Sequence, residues 1–243
     1  MIEKGIYKHY KGNVYKVIGE AIHSETLEEM VVYTPITNSD KIWVRPVSMW
    51  NDTIIINGEK IKRFTKVERK TKKVLVVIDM QNDFIDGSLG SLETKPVVEI
   101  VSRKIAEFDG DMLIYTLDTH DDNYLKTAEG IKLPVKHCIK GTIGHQLCAS
   151  IKESLATVKC DVIPIEKHHF GTFDYKLHDI VDGDDIELCG LCTDICLIAN
   201  AVILKTMFPN STIHVSSQAC AGVTRKLHEE ALDVMRSLQI IID

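Results

Sequence analysis

The spacing of hydrophobic and polar residues divides the chain into two parts with different rhythms. Residues 1–68 contain short runs of aromatic and β-branched residues that predict strands, and turn residues separate the runs. The turn residues are Gly12-Asn13, Asn38-Ser39-Asp40 and Asn57-Gly58, of which the last is typical of a two-residue hairpin. We therefore expect a small β-rich N-terminal domain over residues 1–68, folded as a curled sheet or partial barrel.

After a charged segment at 69–73, which we interpret as a linker, apolar strands alternate with helices. The predicted strands are residues 74–78, 112–117, 162–165, 186–188, 212–215 and 240–242, and the predicted helices are 94–108, 146–154, 175–181, 195–207 and 224–238. Strands that are apolar throughout are typical of a parallel sheet covered on both faces. Residues 74–243 are thus predicted to form a three-layer αβα domain around a mostly parallel six-stranded sheet.

Polar side chains follow four of these predicted strands where each one ends. Asp79 follows the first, Asp118 and His120 the second, Lys167 the third and Cys196 the fourth. Ligands of open α/β sheets bind outside the carboxyl ends of the strands. The groups able to do chemistry are therefore predicted to meet at one edge of the sheet.

Cys196 stands out because it is placed just inside a helix that follows a strand. The apolar run at 185–188 breaks at Gly190, and Thr193 and Asp194 are residue types that begin helices. Free backbone N–H groups and the positive end of the helix dipole favour a thiolate at such a position. The pattern is that of a nucleophile, although a lone cysteine there is also compatible with a purely structural role.

Three segments in order resemble the motifs of a known family. They are Val77-Ile78-Asp79-Met80-Gln81-Asn82-Asp83-Phe84, Glu166-Lys167-His168-His169-Phe170 and Gly190-Leu191-Cys192-Thr193-Asp194-Ile195-Cys196. With them, residues 73–243 resemble the isochorismatase-like cysteine hydrolases, and most closely their nicotinamidase branch. Residues 3–68 separately resemble a small family of uncharacterised accessory domains.

The resemblance implies a catalytic triad of Asp79, Lys167 and Cys196. In that family the thiolate attacks an amide carbonyl, the aspartate moves the proton, and the lysine lowers the thiol pKa and holds the carboxylate. It also implies a cis peptide bond between Leu191 and Cys192, with backbone N–H groups of Cys192 and Cys196 as the oxyanion hole. Gly190 would let the backbone approach closely there.

The resemblance further implies a divalent metal ion and no organic cofactor. Asp118, His120 and His137 match the family's ligands, and Glu129 falls at the distance of the third ligand in one variant of the branch, in which that ligand is a glutamate. Lys126 stands where other members carry a histidine. Nitrogen and carboxylate ligands suit zinc, iron or manganese.

Phe84, Leu133 and Phe170 match positions that line the substrate pocket of this family. Nicotinamidases usually carry an aromatic residue shortly before the second histidine, and this chain has Leu133-Pro134 there. One of the positions expected to stack an aromatic side chain on the substrate ring is therefore aliphatic. The long segment between Asp118 and His145 is of a length that usually serves function.

Composition narrows the function classes. Residues 1–70 hold 12 Lys and Arg against 9 Asp and Glu, and residues 71–243 hold 17 against 26, so the basic excess is too small to predict a nucleic-acid surface. The seven cysteines are odd in number and scattered, which favours reduced thiols over a disulfide framework. No apolar run reaches membrane-span length, and the N-terminus lacks a signal-peptide core. We expect a cytoplasmic protein without a membrane partner.

These observations lead to one main hypothesis and two alternatives. The main hypothesis is a metal-assisted cysteine amidohydrolase whose partner is a small amide, nicotinamide or a related compound. Because the family commonly forms oligomers, we expect a homo-oligomer. The alternatives are an isochorismatase-type hydrolase of another small substrate, and a binding or scaffold protein whose N-terminal module carries the function.

Overall fold

The structure is a computed structural model that describes residues 2–37 and 41–243. Its contacts divide the chain into two compact units, the first ending at Lys70 and the second beginning at Thr71. This division falls inside the charged segment at 69–73. The turn expected at Asn38-Ser39-Asp40 lies outside the described residues. Within the described ranges, no helix is both long and apolar enough to cross a bilayer.

The first unit is built on a five-stranded antiparallel sheet with the order β4-β3-β2-β1-β7, accompanied by a separate hairpin, β5–β6. Its elements are β1 (Gly5–His9), β2 (Val14–Ile22), β3 (Glu29–Pro35), β4 (Trp43–Pro46), α1 (Val47–Trp50), β5 (Thr53–Ile56), β6 (Glu59–Lys62) and β7 (Phe64–Lys66). Asn57 and Gly58 both have positive φ, +53° and +86°, which confirms the predicted two-residue hairpin turn.

Aromatic residues form the core of this first unit. Trp50 stacks on Phe64 with ring centroids 3.8 Å apart and planes within 2° of parallel, while Tyr7 and Tyr33 meet Trp50 edge to face. All four side chains are buried. Strand β4 ends at Pro46, because the chain turns there into α1 and brings Trp50 into this core.

The second unit has the predicted architecture. Its six-stranded sheet is wholly parallel, with the order β10-β9-β8-β11-β12-β13. The strands are β8 (Lys73–Ile78), β9 (Met112–Asp118), β10 (Asp161–Lys167), β11 (Asp185–Leu191), β12 (Thr212–Ala221) and β13 (Ile241–Ile242). The helices are α2 (Asn82–Ile85), α3 (Val97–Ala106), α4 (Ala128–Lys132), α5 (Ala149–Leu155), α6 (Ile198–Met207) and α7 (Arg225–Ser237).

Burial on both faces explains why strand β8 is apolar throughout. Val74, Val76 and Ile78 pack into the cluster that contains α6 and α7, whereas Leu75 and Val77 pack into the cluster that contains α3 and α5. Successive side chains of a strand point to opposite faces, so every position of a doubly covered strand is buried.

Two local expectations differ from the structure. The helix expected at 175–181 is only a 3₁₀ turn, Asp174–Leu177. The long segment between Asp118 and His145, for which the sequence predicts no helix or strand, contains a 3₁₀ turn, Tyr124–Lys126, and the short helix α4. All three of these helical pieces are too short to produce a recognisable 3.6-residue apolar period in the sequence.

Candidate active site

Asp79 comes directly after β8 and is completely buried at the carboxyl edge of the sheet. Its backbone is in the left-handed region, with φ of +46°. Thr116, in the neighbouring strand β9, donates its hydroxyl to Asp79 Oδ1 at 2.6 Å and accepts the Asp79 backbone N–H at 3.2 Å. One carboxylate oxygen is thus fixed by Thr116, and the other remains for the groups at the centre of the site.

Lys167 ends strand β10 and reaches the same place. Its side chain is 1% exposed, and its Nζ lies 2.7 Å from Asp79 Oδ2 and 3.5 Å from Cys196 Sγ. A second carboxylate oxygen, Asp118 Oδ1, lies 3.1 Å from the same ammonium. One buried cation therefore contacts the carboxylate, the sulfur and the end of strand β9.

The path to Cys196 depends on a close approach of two strands. Gly190 in β11 has φ of +113°, and a Cβ atom there would lie 2.1 Å from the backbone oxygen of Ile78 in β8. Only glycine fits such a position, as expected from the sequence. The Leu191–Cys192 peptide bond is cis.

A single π-helical turn, Thr193–Leu197, then carries Cys196 and leads into α6. The backbone N–H of Leu197 bonds to the carbonyl of Cys192 at 3.0 Å. Cys192 is extended immediately before this turn. The assignment of the Cys192 and Cys196 N–H groups to an oxyanion hole stays a prediction.

The electrostatics of the three groups differ from the expectation in one respect. Burial lowers the pKa of Lys167, but the charges of Asp79, Cys196 and Asp118 raise it more, so the amine stays an ammonium. Burial also raises the pKa of Asp79, against the opposing effect of Lys167. For Cys196, burial and the Asp79 carboxylate outweigh Lys167 and hold its pKa well above the ordinary cysteine value.

Lys167 does lower the pKa of the Cys196 thiol, as expected, but burial and the Asp79 carboxylate outweigh it and the net shift is upward. Desolvation disfavours a buried thiolate, and a nearby carboxylate disfavours it further. The resting site holds Cys196 as a thiol beside a proton acceptor, Asp79. Ionisation of the sulfur then has to accompany proton transfer to Asp79.

The four candidate metal ligands lie next to this triad. Nε2 of His120 is 2.8 Å from Asp118 Oδ2, and Nε2 of His137 is 3.5 Å from the same oxygen. Glu129 Oε1 lies 3.7 Å from His120 Nε2 and 3.8 Å from His137 Nε2. Asp118, His120 and His137 have their ligand atoms within 4.8 Å of one another, and Glu129 approaches this group beside its two histidines.

These residues fit a divalent ion. His120 Nε2 is buried without a hydrogen-bond partner of acceptable geometry among the described residues, although Asp118 Oδ2 is close. His137 Nδ1 lies 2.9 Å from the Val135 carbonyl. If Nδ1 carries the proton and donates it to this carbonyl, Nε2 keeps a free lone pair that can bind a metal ion. Ligand atoms at about 2.1 Å from one ion lie roughly 3.0–3.4 Å apart, close to the separations found here.

A cavity of about 560 Å³ opens beside these groups. Leu133 and Phe170, two of the predicted substrate-binding residues, are on its wall, together with His120, Glu129, Lys132 and Ile195. Phe84, the third, is not on the wall of this cavity. It is 8% exposed in the core cluster of α3 and α5, with its ring centroid 5.7 Å from that of His137.

The structure adds a residue that sequence reasoning missed. Asn200, one turn after Cys196 in α6, is fully buried and makes four hydrogen bonds with its side-chain amide. It donates to the carbonyls of Cys196 and Phe170 and accepts from the Thr172 N–H and the Tyr175 hydroxyl. Asn200 thereby ties the cysteine turn to the segment after Lys167. Its one signal in the sequence was a polar residue within an apolar helix.

Comparison with known families covers both units. Residues 73–243 match the family model described as an isochorismatase domain. Residues 5–66 match a family described as a protein of unknown function, DUF1653.

Three curated proteins are similar to the second unit. An uncharacterised isochorismatase family protein, PncA of Bacillus subtilis, is 30% identical over 173 residues, covering 66% of this chain and 92% of the relative. The nicotinamidase of Saccharomyces cerevisiae is 25% identical and covers 58% and 85%. A probable inactive nicotinamidase of Arabidopsis thaliana is 28% identical and covers 71% and 92%.

A solved structure has the same fold. The nicotinamidase/pyrazinamidase PncA of Bacillus subtilis superposes with a TM-score of 0.58 and 27% sequence identity. The alignment covers 71% of this chain and 99% of that chain. Almost the whole of that protein therefore aligns with a part of this chain that is about as long as the second unit.

Proposed function

This chain belongs to the isochorismatase family of hydrolases, and from that membership we propose that it is a cysteine-dependent amidohydrolase. The proposed reaction cleaves a small amide, nicotinamide or a related compound, to a carboxylate and ammonia. The observation that carries the proposal is the buried Lys167 ammonium, which contacts both the Asp79 carboxylate at 2.7 Å and the Cys196 sulfur at 3.5 Å.

Acylation begins with a proton transfer from Cys196 to Asp79. Because burial raises the pKa of Asp79, its carboxylate is basic enough to take the proton while Lys167 remains charged. The sulfur forms a bond to the carbonyl carbon, and the carbonyl electron pair moves onto oxygen. The backbone N–H groups of Cys192 and Cys196 are the proposed donors to this oxyanion.

The same carboxyl group then acts in the opposite sense and completes acylation. Asp79 gives its proton to the amide nitrogen as the C–N bond breaks, so ammonia leaves and a thioester remains. Asp79 then takes a proton from water, whose oxygen bonds to the carbonyl carbon. In this deacylation step the C–S bond breaks and Asp79 returns its proton to the sulfur, which restores the resting thiol.

Asp118, His120, His137 and Glu129 are the residues that would hold a divalent metal ion. The donor set of carboxylate and imidazole suits zinc, iron or manganese. When bound, such an ion supplies a Lewis acid that can coordinate or polarise an acceptor atom of the substrate, such as a ring nitrogen.

Similarity alone does not assign turnover, because the relatives include both a nicotinamidase and a probable inactive nicotinamidase. The proposal therefore rests on the contacts among Asp79, Lys167 and Cys196. A cytoplasmic location and a homo-oligomeric state belong to the same proposal.

The test is a panel of small amides that includes nicotinamide and pyrazinamide. Ammonia release is measured by a coupled assay, and the metal content is measured on the same protein sample. We expect release from at least one amide by metal-containing protein. The absence of ammonia from every amide, with a metal ion present, would contradict the proposal.

A further inference from the structure

The candidate metal ligands come from two segments that are far apart along the chain. Asp118 and His120 lie at the end of β9, whereas His137 lies seventeen residues beyond His120 in the segment before α5. An isolated parallel bridge between His120 and Ile139 joins the two segments. Side chains of a third segment, directly after Asp79, hold both of them.

Gln81 holds the backbone of the first ligand segment. Its side chain is fully buried, with Oε1 accepting the Asp118 N–H at 2.8 Å and Nε2 donating to the Asp118 carbonyl at 2.9 Å. The same Nε2 donates to the His145 carbonyl at 2.8 Å. The Gln81 amide therefore pairs with both backbone groups of a candidate ligand and joins that residue to the far end of the loop.

Asp83 holds the backbone of the second ligand segment. Its Oδ2 accepts the N–H of Cys138 at 2.7 Å, and Cys138, next to His137, has a positive φ of +46°. Gly144 makes room for this carboxylate, since a Cβ at Gly144 would lie 2.0 Å from Asp83 Oδ2. Oδ1 of Asp83 accepts the Ser88 N–H at 3.3 Å, which fixes the carboxylate from the other side.

We propose that Gln81 and Asp83 form a clamp that positions the metal ligands and thereby sets the affinity for the ion. The clamp contributes no ligand itself. It acts through backbone groups, Gln81 on Asp118 and Asp83 on the residue next to His137. Because the clamp begins two residues after Asp79, it also joins the proton acceptor of the triad to the metal site. This inference rests on the metal site of the proposed function.

The test measures Zn²⁺ affinity on the full chain by competition with a chromophoric chelator. Partners that orient metal ligands typically change metal affinity by about 10–100-fold. We expect Asp83→Ala and Gln81→Met to weaken zinc binding by at least about tenfold. Asp83→Asn is expected to recover most of the affinity, because its amide oxygen can still accept the Cys138 N–H.

Asn82→Ala is the matched control. Asn82 lies between the two clamp residues and donates to the Ile143 carbonyl at 2.8 Å, so its loss removes a bond to the loop but none to a candidate ligand or to the residue next to one. We expect its zinc affinity to stay within about twofold of the parent value. The unfolding midpoint of each metal-free variant is measured alongside, to separate stability from ligand positioning.

Gly144→Ala tests the same carboxylate without removing it. The added methyl group displaces the Asp83 carboxylate, while every side-chain hydrogen-bonding group stays in the chain. If Asp83→Ala or Gln81→Met fails to fold, the zinc affinity of this variant tests the clamp in their place. Folded variants that lose stability but bind zinc as the parent does would overturn the proposed clamp and leave the metal site itself intact. A parent chain that takes up no stoichiometric zinc would refute the metal site, and with it the clamp.

Discussion

Lys167 and Asp118 lie in register at the ends of adjacent parallel strands, and Asp118 Oδ1 is 3.1 Å from the Lys167 ammonium. The other oxygen of Asp118 faces His120 and His137. A single carboxylate thus contacts the triad on one side and the candidate metal ligands on the other. The separation of the two sites is fixed by the strand pairing of β9 with β10.

Removal of the Lys167 charge is expected to cost both activity and stability. Lys167→Met leaves Asp79 and Asp118 buried without their shared cation, and loss of one partner of a buried ion pair typically costs about 3–5 kcal/mol. Urea unfolding measures this change. Lys140→Met is the matched control, because the exposed Lys140–Glu166 pair should contribute only about 0–1 kcal/mol. Equal losses in the two variants would contradict the buried-cation assignment.

Replacement of Cys196 by alanine is expected to abolish ammonia release. Without the sulfur no thioester can form, and removal of a covalent nucleophile typically lowers kcat by about 10⁴-fold or more. Cys160→Ser is the control, because Cys160 lies just before β10, at the opposite edge of the sheet. Appreciable turnover by folded Cys196→Ala would exclude the nucleophile role.

The reaction of Cys196 with iodoacetamide is expected to accelerate with pH. Because burial and Asp79 hold the pKa of Cys196 well above the ordinary value, the thiolate fraction rises about tenfold per pH unit between pH 7 and 9. Mass spectrometry of the Cys196 peptide follows the alkylation rate of the substrate-free protein. A rate that levels off below pH 8 would show an already ionised sulfur instead.

Leu133 is expected to influence which amides are accepted. It shares the cavity wall with Phe170, so Leu133→Trp would place a second aromatic face at the cavity. We expect kcat/KM for nicotinamide relative to an aliphatic amide to rise by about tenfold. Ile131→Trp, two residues earlier in α4 but 71% exposed and absent from that wall, should leave the ratio unchanged. A similar change in both variants would argue against a wall at Leu133.

The second unit is expected to act without the first. A chain of residues 71–243 keeps the Lys72–Asp184 and Lys72–Asp179 contacts of that unit, and the Bacillus subtilis structure spans little more than the same region. Its kcat/KM should stay within about twofold of the full chain. Circular dichroism checks folding. A folded truncate with lost turnover would instead assign the N-terminal unit a part in catalysis.

The sequence by itself determined the architecture of the second unit and the residues at its functional edge. Strand β8 is buried on both faces, so all its core positions are apolar, and this continuous apolar run is recognisable in the sequence alone. Asp79, Asp118 and Lys167 were predictable at one edge because parallel strands end on the same side. The Asn57-Gly58 turn was equally readable, since its positive φ angles are a local requirement.

Only the tertiary structure decided the protonation of Cys196, the place of Phe84 and the roles of Gln81, Asp83 and Asn200. The pKa of a thiol depends on desolvation and on charges that arrive from other strands, so the helix position alone could not give the net direction of the shift. Gln81, Asp83 and Asn200 form hydrogen bonds mainly with backbone groups. Every residue has such groups, so the sequence does not show which ones these side chains bind. Their partners are chosen by the folding of distant segments into contact.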